Sequence, residues 1–260
     1  MNTRPDLVDT PPVLFASDVW LSETMGRAVY RWLGVTGATA GAAAAEMTRL
    51  AAGRDALFFA KTTTTDPEQC RTLEGAGFSI VDTGITLAWD ADAVLAPPPG
   101  EIAVGPARPS QHVAIAEVAE RSFRWSRFHL DTRIEPALAN HVKRRWIENY
   151  CAGARGSALY AAEAGGIVAG FLAVIEGQVN GHPAAVIDLI AVAPEFQGRK
   201  VGAALIAFFI AEWRPRVRHL RVATQAANIR SMRFYEGLGF RAAASGYVFH
   251  AHYRNGALWA

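Results

Sequence analysis

The segment Ile187–Leu205, IDLIAVAPEFQGRKVGAAL, constrains the fold more than any other part of the chain. It opens as an apolar run suited to a buried strand, turns at Pro194 into a short loop, and continues into the apolar stretch Val201–Trp213, which reads as a core helix. A strand that turns directly into a helix leaves main-chain N–H groups without partners at the turn, next to the positive end of the helix. Gly198 and Gly202 remove side chains from that loop, so a ligand can approach the backbone closely. The arrangement suits a pyrophosphate. An ordinary strand–loop–helix connection with two loop glycines satisfies the same pattern, and both readings are open from these residues alone.

The chain of 260 residues is long enough for one large or two small domains, and its 51% hydrophobic and 19% charged residues exclude a largely disordered protein. A formal charge of +2 is too small to argue for nucleic acid or an anionic membrane as the main partner. Cys70 and Cys151 offer neither a disulfide framework nor metal-ligand spacing, so no metal is expected. No apolar h-region follows Met1-Asn-Thr-Arg-Pro-Asp, and Gly202–Trp213 is too short to span a bilayer, so a cytoplasmic location is expected.

The prolines of Ala96-Pro-Pro-Pro-Gly100 exclude helix and central strand. They divide the chain into an N-terminal α/β domain at residues 1–96, a linker at 97–100 and a second domain at 101–260. In the second domain a strand is expected at Glu101–Gly105 and a helix from the N-cap Ser110 to Phe123, then a loop to Ile134 and a helix from Pro136 to Cys151. Three strands follow near Ala158–Glu163, Val168–Gly177 and Ala184–Val192, separated by Gly165-Gly166 and Asn180-Gly181 turns. The expected series closes with strand His219–Thr224, helix Ile229–Leu238 and a strand or hairpin through Tyr253.

Aligning Gly77-Phe78 with Gly239-Phe240 without gaps superposes Thr62 on Thr224, Asp66 on Asn228, Glu74 on Glu236 and Gly84 on Gly246. The first half then reads as a degenerate partial copy of the second, or as a βαβ unit that converged on the same cap chemistry. The first copy has no glycine loop and carries Leu73 where the second has Tyr235, so it is not expected to bind the same ligand.

The loop Gln197-Gly-Arg-Lys-Val-Gly-Ala203 resembles the coenzyme-binding motif of the Gcn5-related N-acetyltransferases, Gln/Arg-x-x-Gly-x-Gly/Ala. The departure is Lys200, which stands where the family has its first glycine. The resemblance covers about residues 101–255 and implies an acetyltransferase fold of mixed α/β class around a mixed central sheet. It implies acetyl-CoA as co-substrate, held by Ile190, Ala191, Val192, Gln197, Gly198, Arg199, Lys200, Val201, Gly202, Ala203 and Asn228. It also implies Tyr235 as the acid that protonates the departing thiolate. Asp188 is the expected proton acceptor, although it equally suits an anchor for the acceptor ammonium or a residue bonded to a neighbouring strand. His182 reads as a turn residue.

Three further segments, FRWSRF at 123–128, RWIEN at 145–149 and LRVATQ at 220–225, are similar to bacterial TDP-fucosamine acetyltransferases, as is LEGAGFS at 73–79 in the first half. That similarity implies a small-molecule amine acceptor of the TDP-amino-sugar class. Arg124 and Arg127 suit a diphosphate, and Trp125, Phe128 or Trp146 suits a base or the apolar face of a deoxysugar. Loop anchoring of Trp125 and Phe128, with both arginines solvated, explains these residues equally well. Lys143-Arg-Arg145 reads as a solvated helix face. A homodimer is compatible with the family, and another amine acceptor or a coenzyme-binding protein without catalysis remains an alternative.

Overall fold

The computed structural model describes residues 13–89 and 102–259. The chain divides into two compact units, Met1–Ser79 with Phe249–Ala260, and Ile80–Val248. This division differs from the expected one. The 97–100 linker lies outside the described residues, while most of strand β4 (Ser79–Trp89) belongs to the second unit because it pairs antiparallel with β9 (His219–Gln225). The C-terminal end, expected in the second domain, belongs to the first unit.

In the first unit, β1 (Phe15–Ser17) pairs antiparallel with β2 (Ala28–Trp32), and β2 pairs parallel with β3 (Ala56–Thr63). Helices α1 (Val19–Met25), α2 (Ala40–Leu50) and α3 (Pro67–Gly75) are each N-capped by a short polar side chain, Asp18, Thr39 and Asp66. Phe58 lies in the core with Phe15 and Tyr30 against its ring, at centroid distances of 5.2 and 5.0 Å.

The second unit holds β5 (Ile102–Pro106), α4 (His112–Ser122), α5 (Arg127–Leu130), α6 (Pro136–Cys151), β6 (Ala158–Ala164), β7 (Ile167–Val179) and β8 (His182–Val192). After these come α7 (Val201–Trp213), β9, α8 (Ile229–Gly237) and the first part of β10 (Phe240–Arg254), while β11 (Ala257–Leu258) follows in the first unit. Its strands run in the order β10, β4, β9, β8, β7, β6, β5. Only β8 and β9 pair parallel among the registered neighbours, which makes the sheet mixed. The turns are those the sequence dictates: Gly165-Gly166 joins β6 to β7, and Asn180-Gly181 joins β7 to β8, with positive φ at all four residues. The expected N-cap Ser110 lies instead inside a 3-10 turn, Pro109–Gln111, that precedes α4, because proline favours the first position of such a turn.

Two apolar clusters flank this sheet. The α7 side gathers Leu205, Phe209, Trp213 and Tyr235, and the α4–α6 side gathers Ile115, Ala119, Ile147 and Tyr150. Residues of α7 at positions 201, 205, 206, 209, 210 and 213 are all buried, so one helical stripe supplies most of the first cluster. A side chain such as Phe209 contributes about 2–3 kcal/mol through burial.

The repeat-related segments adopt matching local structure. Asp66 accepts from Gln69 N at 3.0 Å and Asn228 from Ser231 N at 3.2 Å, and the helices they cap end before Gly77 and Gly239, with φ of 95° and 87°. Inside the second unit, Gly84 faces its repeat equivalent: a Cβ there would lie 3.9 Å from Gly246 O.

Candidate active site

The site originates in an irregularity of β8. Val174 pairs with Ile187 and Ala173 with Leu189, which leaves Asp188 as an extra residue without a partner on β7. A one-residue bulge reverses the alternation of faces. Accordingly Ala185 and Ile187 belong to the α7-side cluster, whereas Leu189 and Ala191 belong to the α4–α6 side. The added twist also separates β8 from β9: their pairing runs from Ala184–His219 to Ile187–Val222 and stops there. Strand β9 itself stays in the sheet, pairing with β4 as far as Gln225.

A cleft of about 650 Å³ fills the resulting gap. Its walls are β8 from Ile187 to Val192, β9 from Val222 to Gln225, the loop before α7, the α8 residues Phe234 and Tyr235, and Ser122–Ser126 with Lys143. At one end, the first helical hydrogen bond of α7 runs from Ala204 N to Lys200 O, so the N–H groups of Val201, Gly202 and Ala203 have no acceptor within the helix. A Cβ on Gly202 would lie 3.2 Å from the Phe234 ring, so glycine permits the close approach of α7 and α8. Lys200 takes φ 63° and ψ 9°, the left-handed conformation that a glycine adopts readily. The departure from the family pattern therefore keeps the backbone path, at a cost of about 1 kcal/mol. Gln197 spans the loop: its Nε2 donates to Val192 O at 3.3 Å and its Oε1 accepts from Arg230 at 3.1 Å.

Tyr235 lies 5% exposed between Phe234 and Phe240 and lines the cleft. Among the described residues its hydroxyl has no hydrogen-bond partner, and burial pushes its pKa above the ordinary phenol value. The proton stays on the oxygen at neutral pH.

Asp188 presents a different picture from the expected proton acceptor. Its Oδ2 accepts from Trp146 Nε1 at 2.9 Å, Tyr150 Oη at 2.7 Å and Arg155 Nε at 2.9 Å. Burial acts to raise its pKa, but the Arg155 guanidinium and the two neutral donors outweigh that and hold the carboxyl below its ordinary value. A carboxylate so held is a weak base.

Of the expected coenzyme residues, all but Arg199 line the cleft; Arg199 stacks on Phe196 at 5.5 Å. Arg124 and Trp125 line it as well, with Trp125 45% exposed. Arg127 and Phe128 do not. Phe128 is buried in the core, and Arg127 lies 4.5 Å over its ring, because α5 turns Phe128 inward from a segment expected to be loop. His182 lies in the hairpin end of β8 beside Arg218, 3.2 Å away, and does not line the cleft.

Trp146, expected to stack on the acceptor, does not line the cleft and donates to Asp188 instead, and three further residues were not identified as site residues from sequence: Lys143, Tyr150 and Arg155. Lys143 is 7% exposed and lines the cleft, so it is not part of a solvated face. Helical spacing carried the signal, since Ala139, Val142, Lys143, Ile147 and Tyr150 form the buried face of α6.

A splayed parallel pair, an amide-rich helix start and a buried tyrosine on the following helix together form the candidate site. Residues 115–240 match the family model described as acetyltransferase (GNAT) family. It is 32% identical over 148 residues to the spore coat polysaccharide biosynthesis protein SpsD of Bacillus subtilis (strain 168), a match covering 56% of this chain and 50% of SpsD. The chain thus spans about half the length of that relative. Its fold is similar to a tandem GNAT protein from the clavulanic acid biosynthesis pathway (TM-score 0.58, 16% identity, 86% of this chain and 75% of that one). It is also similar to a GCN5-related N-acetyltransferase from Sphaerobacter thermophilus (TM-score 0.52, 16% identity, 79% of this chain and 62% of that one). Among the described residues, no helix is long and apolar enough to cross a membrane.

Proposed function

We propose that the protein transfers an acetyl group from acetyl-CoA to the amine of a nucleotide-linked amino sugar. The observation that carries this reading is the cleft between β8 and β9, with free helix-start amides at one end and the Tyr235 phenol on its wall. Acetyl-CoA supplies an activated thioester. The N–H groups of Val201, Gly202 and Ala203 suit its diphosphate, Lys200 adds a positive charge beside them, and the open edge of β8 after Ile187 offers main-chain groups to the pantetheine arm. Tyr235 keeps its proton until a thiolate needs it.

Asp188 acts as a positioning residue: it fixes Trp146, Tyr150 and Arg155 beside the bulge, and the acceptor amine arrives neutral or loses its proton to water. The polysaccharide in the SpsD name favours a sugar acceptor. The charges of the cleft agree with an acidic one. Among the described residues, Arg124, Lys143, Lys200 and Arg230 line it against a single carboxylate, Asp188, itself paired with Arg155. A polycationic amine would meet repulsion there. Loss of catalysis with retained coenzyme binding is disfavoured because Lys200 preserves the loop conformation and Tyr235 remains in place.

The test is thiol release from acetyl-CoA with TDP-4-amino-4,6-dideoxygalactose against aminoglycosides and peptides. Saturable release with the nucleotide sugar alone is expected. In Tyr235→Phe, kcat falls about 100-fold while acetyl-CoA affinity stays within twofold of the parent. Unchanged turnover removes Tyr235 from the mechanism, and release with the other amines alone removes the substrate assignment.

A further inference from the structure

Lys143 is a buried cation at a place where an apolar side chain would pack. It sits on the inward face of α6 between Val142 and Ile147, both fully buried, yet it also lines the cleft. Its Nζ lies 4.8 Å from the centroid of Phe123 and 4.9 Å from that of Trp146, so two aromatic faces replace part of its lost hydration. Arg155 stacks on the same indole at 4.7 Å and pairs with Asp188; of the two cations on this ring, Lys143 is the one that borders the cleft. An ammonium carries three donors, and in a partly dry wall its attraction for an anion is stronger than at an exposed surface. Arg124 borders the same part of the cleft from the segment after α4. Lys200 and Arg230 lie at the α7–α8 end. The positive charge of the cleft therefore has two separate centres, and a coenzyme diphosphate accounts for only one.

We propose that Lys143, held between Phe123 and Trp146, is the contact for an acidic group of the acceptor, with Arg124 as the rim cation. The proposal rests on the acetyltransferase reading and deepens it: the acceptor carries a phosphate or carboxylate in addition to its amine. The nucleotide diphosphate of an amino sugar supplies that chemistry. An amino acid supplies it as well, and the assay separates the two.

The experiment measures steady-state kinetics of the parent protein, Lys143→Met, Lys143→Arg and Arg124→Ala. The acceptors are TDP-4-amino-4,6-dideoxygalactose, the methyl glycoside of the same amino sugar, and a panel of α-amino acids. Lys143→Met keeps the aliphatic stem and removes the charge. It is expected to lower kcat/KM for the acidic acceptor about ten- to a hundredfold, mainly through KM. The uncharged glycoside and acetyl-CoA change less than twofold, and Lys143→Arg restores most of the loss. Equal losses with charged and uncharged acceptors, or no loss, overturn the assignment. Preference for amino acids identifies a carboxylate as the ligand and keeps the subsite. If no acceptor turns over, the functional reading falls, and thymidine diphosphate binding to the CoA-loaded protein decides the subsite. Binding weakened at least tenfold by Lys143→Met supports it, and absent or unchanged binding overturns it. Arg124→Ala keeps the question open to refutation should Lys143→Met misfold, because Arg124 is exposed: a KM for the acidic acceptor raised several-fold in this variant supports the proposal, and an unaltered KM, with the glycoside turned over by the parent as well as the acidic acceptor, rejects it.

Discussion

Replacing Asp188 by asparagine removes the charge on which three donors converge and keeps nearly the same volume. Breaking a buried ion pair by neutralising one member costs about 3–5 kcal/mol. The Asp188 side chain is 17% exposed but Arg155 is 36% exposed, so water compensates part of the loss on the arginine side. The expected destabilisation is about 2–4 kcal/mol. In a unit of this size each kcal/mol moves Tm by about 2–4 °C, which predicts a fall of roughly 5–15 °C at pH 7. Chemical denaturation followed by tryptophan fluorescence reads the same quantity, with Trp146 inside the affected cluster.

The pH dependence carries an independent check. The folded-state pKa of Asp188 lies below its ordinary value, so its contribution is fully present above the unfolded value and is lost as pH falls through the folded one. The stability gap between parent and Asp188→Asn should stay constant from pH 7 to about pH 5 and narrow below about pH 4. Arg155→Met should reproduce the loss, and the double variant should add little to either. A gap under about 0.5 kcal/mol at pH 7 would refute the positioning role. So would a collapse of kcat in Asp188→Asn at parental stability, which is the behaviour of a general base.

Two perturbations examine the coenzyme end. Lys200→Gly relieves the left-handed backbone at the α7 N-cap, and a gain of about 0.5–1 kcal/mol is expected from the denaturation midpoint; coenzyme affinity falls only by the loss of one cation. Gly202→Val places a side chain against Phe234, where a Cβ alone would already lie 3.2 Å away, and should weaken CoA binding at least tenfold by calorimetry.

Local chemistry carried most of the fold. Helices α6 and α7 occupy the expected Pro136–Cys151 and Val201–Trp213, because a proline at the first turn and an unbroken apolar stripe are properties of contiguous residues. The hairpins around Gly165 and Asn180 were legible for the same reason. The unit division was not. It depends on β4 pairing with β9, residues such as Leu87 and Val222 that stand far apart in the chain and carry no mark of each other. Phe128 failed as a ligand contact because an aromatic residue in a polar segment reads alike whether a four-residue helix turns it inward or a loop presents it to solvent.

The candidate site shows the same divide more sharply, and the bulge explains why. From sequence, Ile187–Val192 is one apolar run with a carboxylate in it, and regular alternation would put Ile187, Leu189 and Ala191 on one face. The extra residue at Asp188 breaks that phase: Ile187 goes to the α7 side, while Leu189 and Ala191 turn toward α4 and α6. The inserted residue itself carries the carboxylate bonded to Trp146, Tyr150 and Arg155, and beyond it the pairing with β9 ends and the cleft that Lys143 and Tyr235 line opens. The coenzyme loop could be read because its amides and glycines are consecutive. The acceptor side could not, since its chemistry depends on a register shift in one strand meeting the buried face of a helix about forty residues earlier, and neither element alone specifies that meeting.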